Sequence, residues 1–172
     1  ILGGQDGIVN VLGLVLGVAS ATLNTQIVII SGIVATVAES VSMAAVAYTS
    51  SKAAKEYYLG KIKDDKKNNK KYEDKILFKE YKNPFNSAWI VGISTIFGSI
   101  IPLIPFFFLN IKISMIISII ISAITLFIVG AVKAKTSIGN WKRSGIELMI
   151  IGIIAALVGY GVGLLLKVNF IG

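Results

Sequence analysis

The chain has 172 residues, 55% of them hydrophobic and 15% charged, where a soluble domain carries about a quarter charged residues. Its mean hydropathy is +0.79, and the apolar residues fall in blocks around one charged insert, which excludes an ordinary soluble globule and implies an all-α, polytopic membrane protein. There is no Cys and no His, so thiol catalysis, disulfides, zinc fingers and imidazole mechanisms are excluded together.

A bilayer-spanning helix needs about 20 mostly apolar residues, and five segments qualify. They are predicted at Gly4–Leu23, Gln26–Tyr48, Ser87–Leu109, Ile111–Val132 and Gly145–Leu166. Asn24-Thr25 and Asn110 mark the short turns of two helical hairpins. The opening residue is Ile1 rather than Met, which leads us to expect a trimmed N-terminus. Residues 1–49 hold the first two spans, 50–84 a basic, partly helical insert dotted with Tyr57, Tyr58, Tyr72 and Tyr81, and 85–172 the last three spans.

The +8 net charge is unevenly placed. Eleven lysines lie in the insert, and Lys133, Lys135, Lys142 and Arg143 flank the connection between the fourth and fifth spans; only Lys112 and Lys167 fall on the other side. Five alternating spans put both basic segments on one side, so the positive-inside rule makes the insert and the N-terminus cytoplasmic. The insert also carries six acidic residues. A loop of that kind sets topology and touches anionic lipid headgroups, so no nucleic-acid partner is expected.

Asp6, Glu39 and Glu147 are the acidic residues outside the insert. A carboxylate at membrane depth costs roughly 2.5–3.5 kcal/mol on insertion scales and marks a functional position by default. Asp6 heads a helical stripe of polar and small residues, Asn10, Gly13, Gly17, Ala21 and Asn24. The plain alternative is an interfacial Asp with a packing seam behind it. Glu39 sits deep in the second span with Met43 one turn later and Ser42 beside it. Carboxylate oxygen with a thioether suits a borderline divalent metal such as Fe²⁺ better than Mg²⁺ or Ca²⁺. The plain alternative here is a neutral Glu hydrogen-bonded to a neighbouring helix. Glu147 lies four residues after Arg143, where an ion pair accounts for it without function. Glu73, Asp74 and Glu80 form a weaker candidate metal site within the insert.

The fourth span aligns Ser114, Ser118, Ser122 and Thr125, and the fifth aligns Gly145, Gly152, Ala156, Gly159 and Gly163, both seams for close helix approach. Pro102 and Pro105 free backbone carbonyls in the third span, where a kink is expected. No phosphate loop, nucleophile elbow or HExxH-type motif occurs. Neither an enzyme nor a bound cofactor is expected.

Four stretches in order resemble the vacuolar iron transporter family. They are Asp6-Gly7-Ile8-Val9-Asn10 leading to Gly13 and Gly17, Ala38-Glu39-Ser40-Val41-Ser42-Met43-Ala44, Gly98-Ser99-Ile100-Ile101-Pro102-Leu103-Ile104-Pro105, and Arg143-Ser144-Gly145 with Ala155-Ala156 to Tyr160. The resemblance implies a homodimeric exporter of cytosolic Fe²⁺, often also Mn²⁺, in exchange for protons. It gives Asp6 and Met43 the role of lining a path near the dimer interface. Eukaryotic members carry a Glu where this chain has Ala35, and Glu39, one turn before Met43, is our substitute for it. The implied membrane is the plasma membrane in a prokaryote and the vacuolar membrane in a eukaryote. A passive divalent-cation channel and a non-transporting membrane scaffold are the competing readings.

Overall fold

A computed structural model describes residues 2–67, 83–136 and 139–170. Among the described residues are five helices: α1 Leu2–Thr22, α2 Thr25–Lys67, α3 Pro84–Phe108, α4 Ile111–Thr136 and α5 Trp141–Phe170. Each has a stretch long and apolar enough to cross a membrane. Their starts are set by local chemistry. The Asn24 side chain accepts hydrogen bonds from the amides of Gln26 and Ile27, Asn110 from that of Ile113 and Asn140 from that of Lys142. Three asparagines thus satisfy amides that the first turns of α2, α4 and α5 leave without intrahelical partners. Leu23, the one described non-glycine residue at positive φ, turns the chain between α1 and α2.

The helices pack as a bundle with α1 in the middle, touching all four others. Val11, Val15 and Ala19 of α1 bury against Val28, Leu103 and Phe106, and Leu12 and Leu16 bury against Ala156 on another side. The outer surface is the reverse of a soluble protein. On α4, Ser114, Ser118 and Ser122 are fully buried, while Ile113, Ile116, Ile120, Ile124 and Ile128 are exposed. Serines inside and isoleucines outside are stable only where the surroundings are hydrocarbon.

Two of those serines bind the proline-containing helix. Ser118 donates to the carbonyl of Pro102 at 2.7 Å, and Ser114 to that of Pro105 at 3.0 Å. α3 continues as one helix through both prolines. The small-residue seams meet each other within one chain. A Cβ at Gly159 or Gly163 of α5 would strike the carbonyl of Gly13 or Gly17 on α1, and one at Gly98 of α3 would strike that of Gly4. The matched order of these contacts makes α1, α3 and α5 parallel. Both hairpin turns therefore lie at one end, and the starts of α1, α3 and α5 and the end of α4, with Lys133, Lys135, Lys142 and Arg143, at the other.

α2 continues into the segment expected to be a partly helical insert. The predicted span stops at Tyr48, yet the helix runs unbroken across the 49/50 boundary to Lys67, 43 residues in all. At 1.5 Å per residue it is about 64 Å long, roughly twice the hydrocarbon thickness. At the basic end Tyr48 packs edge-on against Phe85 at 5.1 Å, Trp141 lies 6.5 Å from Phe127, and Lys142 sits 5.5 Å above the Trp141 ring. Aromatic residues at that level are the usual furnishing of a membrane–water boundary.

Candidate metal site between α1 and α2

α1 and α2 are antiparallel partners of a tight hairpin, so positions climbing one helix descend the other. Asp6 and Asn10, one turn apart on α1, thereby face Met43 and Glu39, one turn apart on α2. Together with Val11, Leu14, Ala35, Ala38 and Ser42 they line a cleft of about 450 Å³. Glu39 lies nine residues below Tyr48, about 13 Å along the helix and well within the apolar layer. Around it, Ala35, Ala38 and Ser42 are small, which leaves the carboxylate and thioether accessible.

The Asn10 amide Nδ2 donates to Glu39 Oε1 at 2.7 Å. That bond alone fits a merely structural Glu39 equally well. What points to chemistry is the company: a second carboxylate, Asp6, and the Met43 sulfur open onto the same space, and the cleft faces outward instead of closing over them. One chain supplies two carboxylates, one amide oxygen and one thioether. No group of three His, Cys, Asp or Glu occurs among the described residues, so a full coordination shell needs water or donors from elsewhere.

The polar stripe read along α1 divides into two surfaces. Asp6 and Asn10 line the cleft, but Gly13 and Gly17 are packed on α5, with a Cβ at Gly13 meeting the Ala155 carbonyl at 3.2 Å. Helical spacing gives a residue's face and is silent about which neighbour covers that face at each level. Glu147 pairs with Arg143 at 3.0 Å on an exposed surface, as its spacing predicts. Glu73, Asp74 and Glu80 lie outside the described residues. The Asn10–Glu39 bond and the lining by Ala38 were not visible in the sequence; the short side chains at 35, 38 and 42 were the available signal.

The model of the VIT family matches residues 1–81 and 70–164. The chain belongs to the VIT family. It is 33% identical over 155 residues to the uncharacterized protein MJ0645 of the archaeon Methanocaldococcus jannaschii, covering 89% of this chain and 80% of that one. Protein CCC1 of Saccharomyces cerevisiae is 35% identical over 77 residues, 41% of this chain and 24% of the yeast protein. Vacuolar iron transporter 1 of Tulipa gesneriana is 22% identical over 204 aligned positions, 93% of this chain and 83% of the tulip protein. Family membership together with five membrane-length helices supports metal-ion transport by an integral, multi-pass membrane protein.

Proposed function

We propose that this chain moves Fe²⁺, and also Mn²⁺, out of the cytosol in exchange for protons, through the cleft between α1 and α2. The observation that carries the reading is the convergence of Asp6, Asn10, Glu39 and Met43 at membrane depth on an outward-facing surface. Polar groups there are costly against lipid, and a homodimer formed across this face covers them. A two-fold axis doubles the donors to four carboxylates and two thioethers, a mixed oxygen–sulfur set that suits Fe²⁺ better than Mg²⁺ or Ca²⁺, with the carboxylates also serving Mn²⁺.

The insert and the N-terminus are cytoplasmic in this reading, because fifteen of the seventeen basic residues lie at that end. Metal enters beside Asp6, descends to Glu39 and Met43, and leaves on the side of the hairpin turns. Carboxylates release protons when they ligate metal and regain them when it departs. Glu39, the deeper of the two, is the proton-coupled group. Asn10 holds its side chain toward the cleft until metal takes that place.

Transport by the purified protein in liposomes tests the path. Asp6→Ala and Met43→Ala are expected to abolish Fe²⁺ flux while the protein remains folded and dimeric. Undiminished flux in both variants would place the path elsewhere. Ala38→Cys, in a chain with no other Cys, is expected to cross-link to its own copy under mild oxidation; a protein that stays monomeric under those conditions argues against this dimer face.

A further inference from the structure

A second groove shares no lining residue with the α1–α2 cleft and lies between α1, α4 and α5, toward the end that carries the hairpin turns. Its volume is about 560 Å³, and its walls are aliphatic: Leu16 from α1, Met115, Ile116 and Ile119 from α4, and Leu157 and Leu164 from α5. Ile116 and Leu157 are 60% and 64% exposed, so the groove opens sideways, toward the surrounding hydrocarbon. Lys112 and Lys167 close its outer end. These are the only two basic residues that the sequence places on this side. Neither has an ion-pair partner among the described residues.

An aliphatic slot open to hydrocarbon, with paired cations at its headgroup end, is the chemical complement of an anionic phospholipid. We propose that the groove binds one such lipid, with its phosphate between Lys112 and Lys167 and an acyl chain along Met115, Ile116 and Ile119. From Lys112 to Ile119 the track is two turns of α4, about 10 Å. The start of α4 at Ile111 adds the positive end of a helix dipole beside the phosphate. Tyr160 borders the slot, and Ser20 is already occupied, its hydroxyl donating to the carbonyls of Gly17 and Tyr160.

A second copy of the chain fits this groove poorly. The sequence has no acidic residue between Asp6 and Glu39, between Glu80 and Glu147, or after Glu147. Another copy's turn-bearing end therefore offers Lys112 and Lys167 only further lysines, and like charges oppose such a contact. A phospholipid supplies the missing negative charge and the apolar filling in one molecule.

Native mass spectrometry of the full chain, released from micelles containing equal amounts of phosphatidylglycerol and phosphatidylcholine, tests the site. The native protein is expected to retain one phosphatidylglycerol per chain in preference to phosphatidylcholine. The Lys112→Gln/Lys167→Gln variant is expected to lose that preference by roughly thirty-fold, the equivalent of about 1 kcal/mol for each of the two lysines near a lipid surface. The control Lys133→Gln/Lys135→Gln, altered at the opposite end, should keep it, and Ile116→Trp should lower retention of both lipids by filling the slot. Equal retention by native protein and the Lys112/Lys167 variant overturns the proposal, as does the absence of any preference for the anionic lipid. Loss of a lipid-free dimer in that variant would assign the groove to a second copy and overturn it too.

Discussion

Glu39 makes one hydrogen bond that ties α2 to α1, the bond from Asn10, and shares its cleft with Asp6 and Met43. The roles at this scale separate by ligand chemistry. In the proposed site the thioether is the soft donor, so Met43→Ala is expected to depress Fe²⁺ transport more than Mn²⁺ transport, since Mn²⁺ is better served by oxygen. Competition between the two ions in liposomes checks it, and an unchanged ratio would remove Met43 from the ligand set. Asn10→Ala leaves Glu39 without its orienting donor. Loss of such a supporting contact typically costs 10–100-fold in metal affinity, and a weakening of about ten-fold is expected in a metal titration, with the fold intact. The carboxylates and Met43 were legible in the sequence because a charged group in an apolar span is conspicuous whatever the tertiary structure. Their pairing across the hairpin was not, because it depends on how deeply α2 sits beside α1. Asn10 illustrates the difference: its place on the stripe was evident, its partner was not.

Among the elements, α1 is the helix on which the others are assembled, and glycine makes that possible. Gly13 and Gly17 meet Gly159 and Gly163 backbone to backbone, gaining dispersion and close dipole contacts that larger residues forbid. Gly159→Ala drives a methyl against the Gly13 carbonyl, which cannot retreat as a flexible side chain would. Overpacking of this kind costs about 1–3 kcal/mol, and a lower midpoint of thermal unfolding in detergent is the expected readout. Ser118→Ala removes the hydroxyl bound to the Pro102 carbonyl; membrane hydrogen bonds of this type average about 0.6 kcal/mol, so a smaller drop is expected. The number of spans and both hairpin turns followed from apolar length and from asparagine. The extent of α2 did not. Polarity after Tyr48 records the exit from the membrane, whereas a helix ends only where its backbone bonding or side chains demand it, and the lysine-rich continuation, with Ala53, Ala54, Glu56 and Leu59 among its lysines, contains enough good helix formers and no proline to carry the helix on.

At the scale of the whole molecule, charge distribution and helix direction agree. Parallel α1, α3 and α5 put Lys133, Lys135, Lys142 and Arg143 at the end toward which α2 carries Lys52, Lys55 and Lys61, and the two short turns at the other. Because the chain has no Cys, single introduced cysteines report sidedness directly. In oriented vesicles Lys61→Cys and Gly139→Cys are expected to react only with a cytoplasmic reagent, and Asn110→Cys only with an external one; the opposite pattern would reverse the direction of transport. In the proposed dimer, the lateral opening of the α1–α2 cleft is half of a two-fold site in which two such hairpins would enclose the ion. The most direct test of this account follows Fe²⁺ entry and internal pH together in liposomes, comparing native protein with Glu39→Gln. The native chain is expected to move protons against metal, and the variant to lose that counter-movement along with most of its flux. Metal flux that remains proton-coupled in Glu39→Gln would contradict the assignment of coupling to the carboxylate in this cleft.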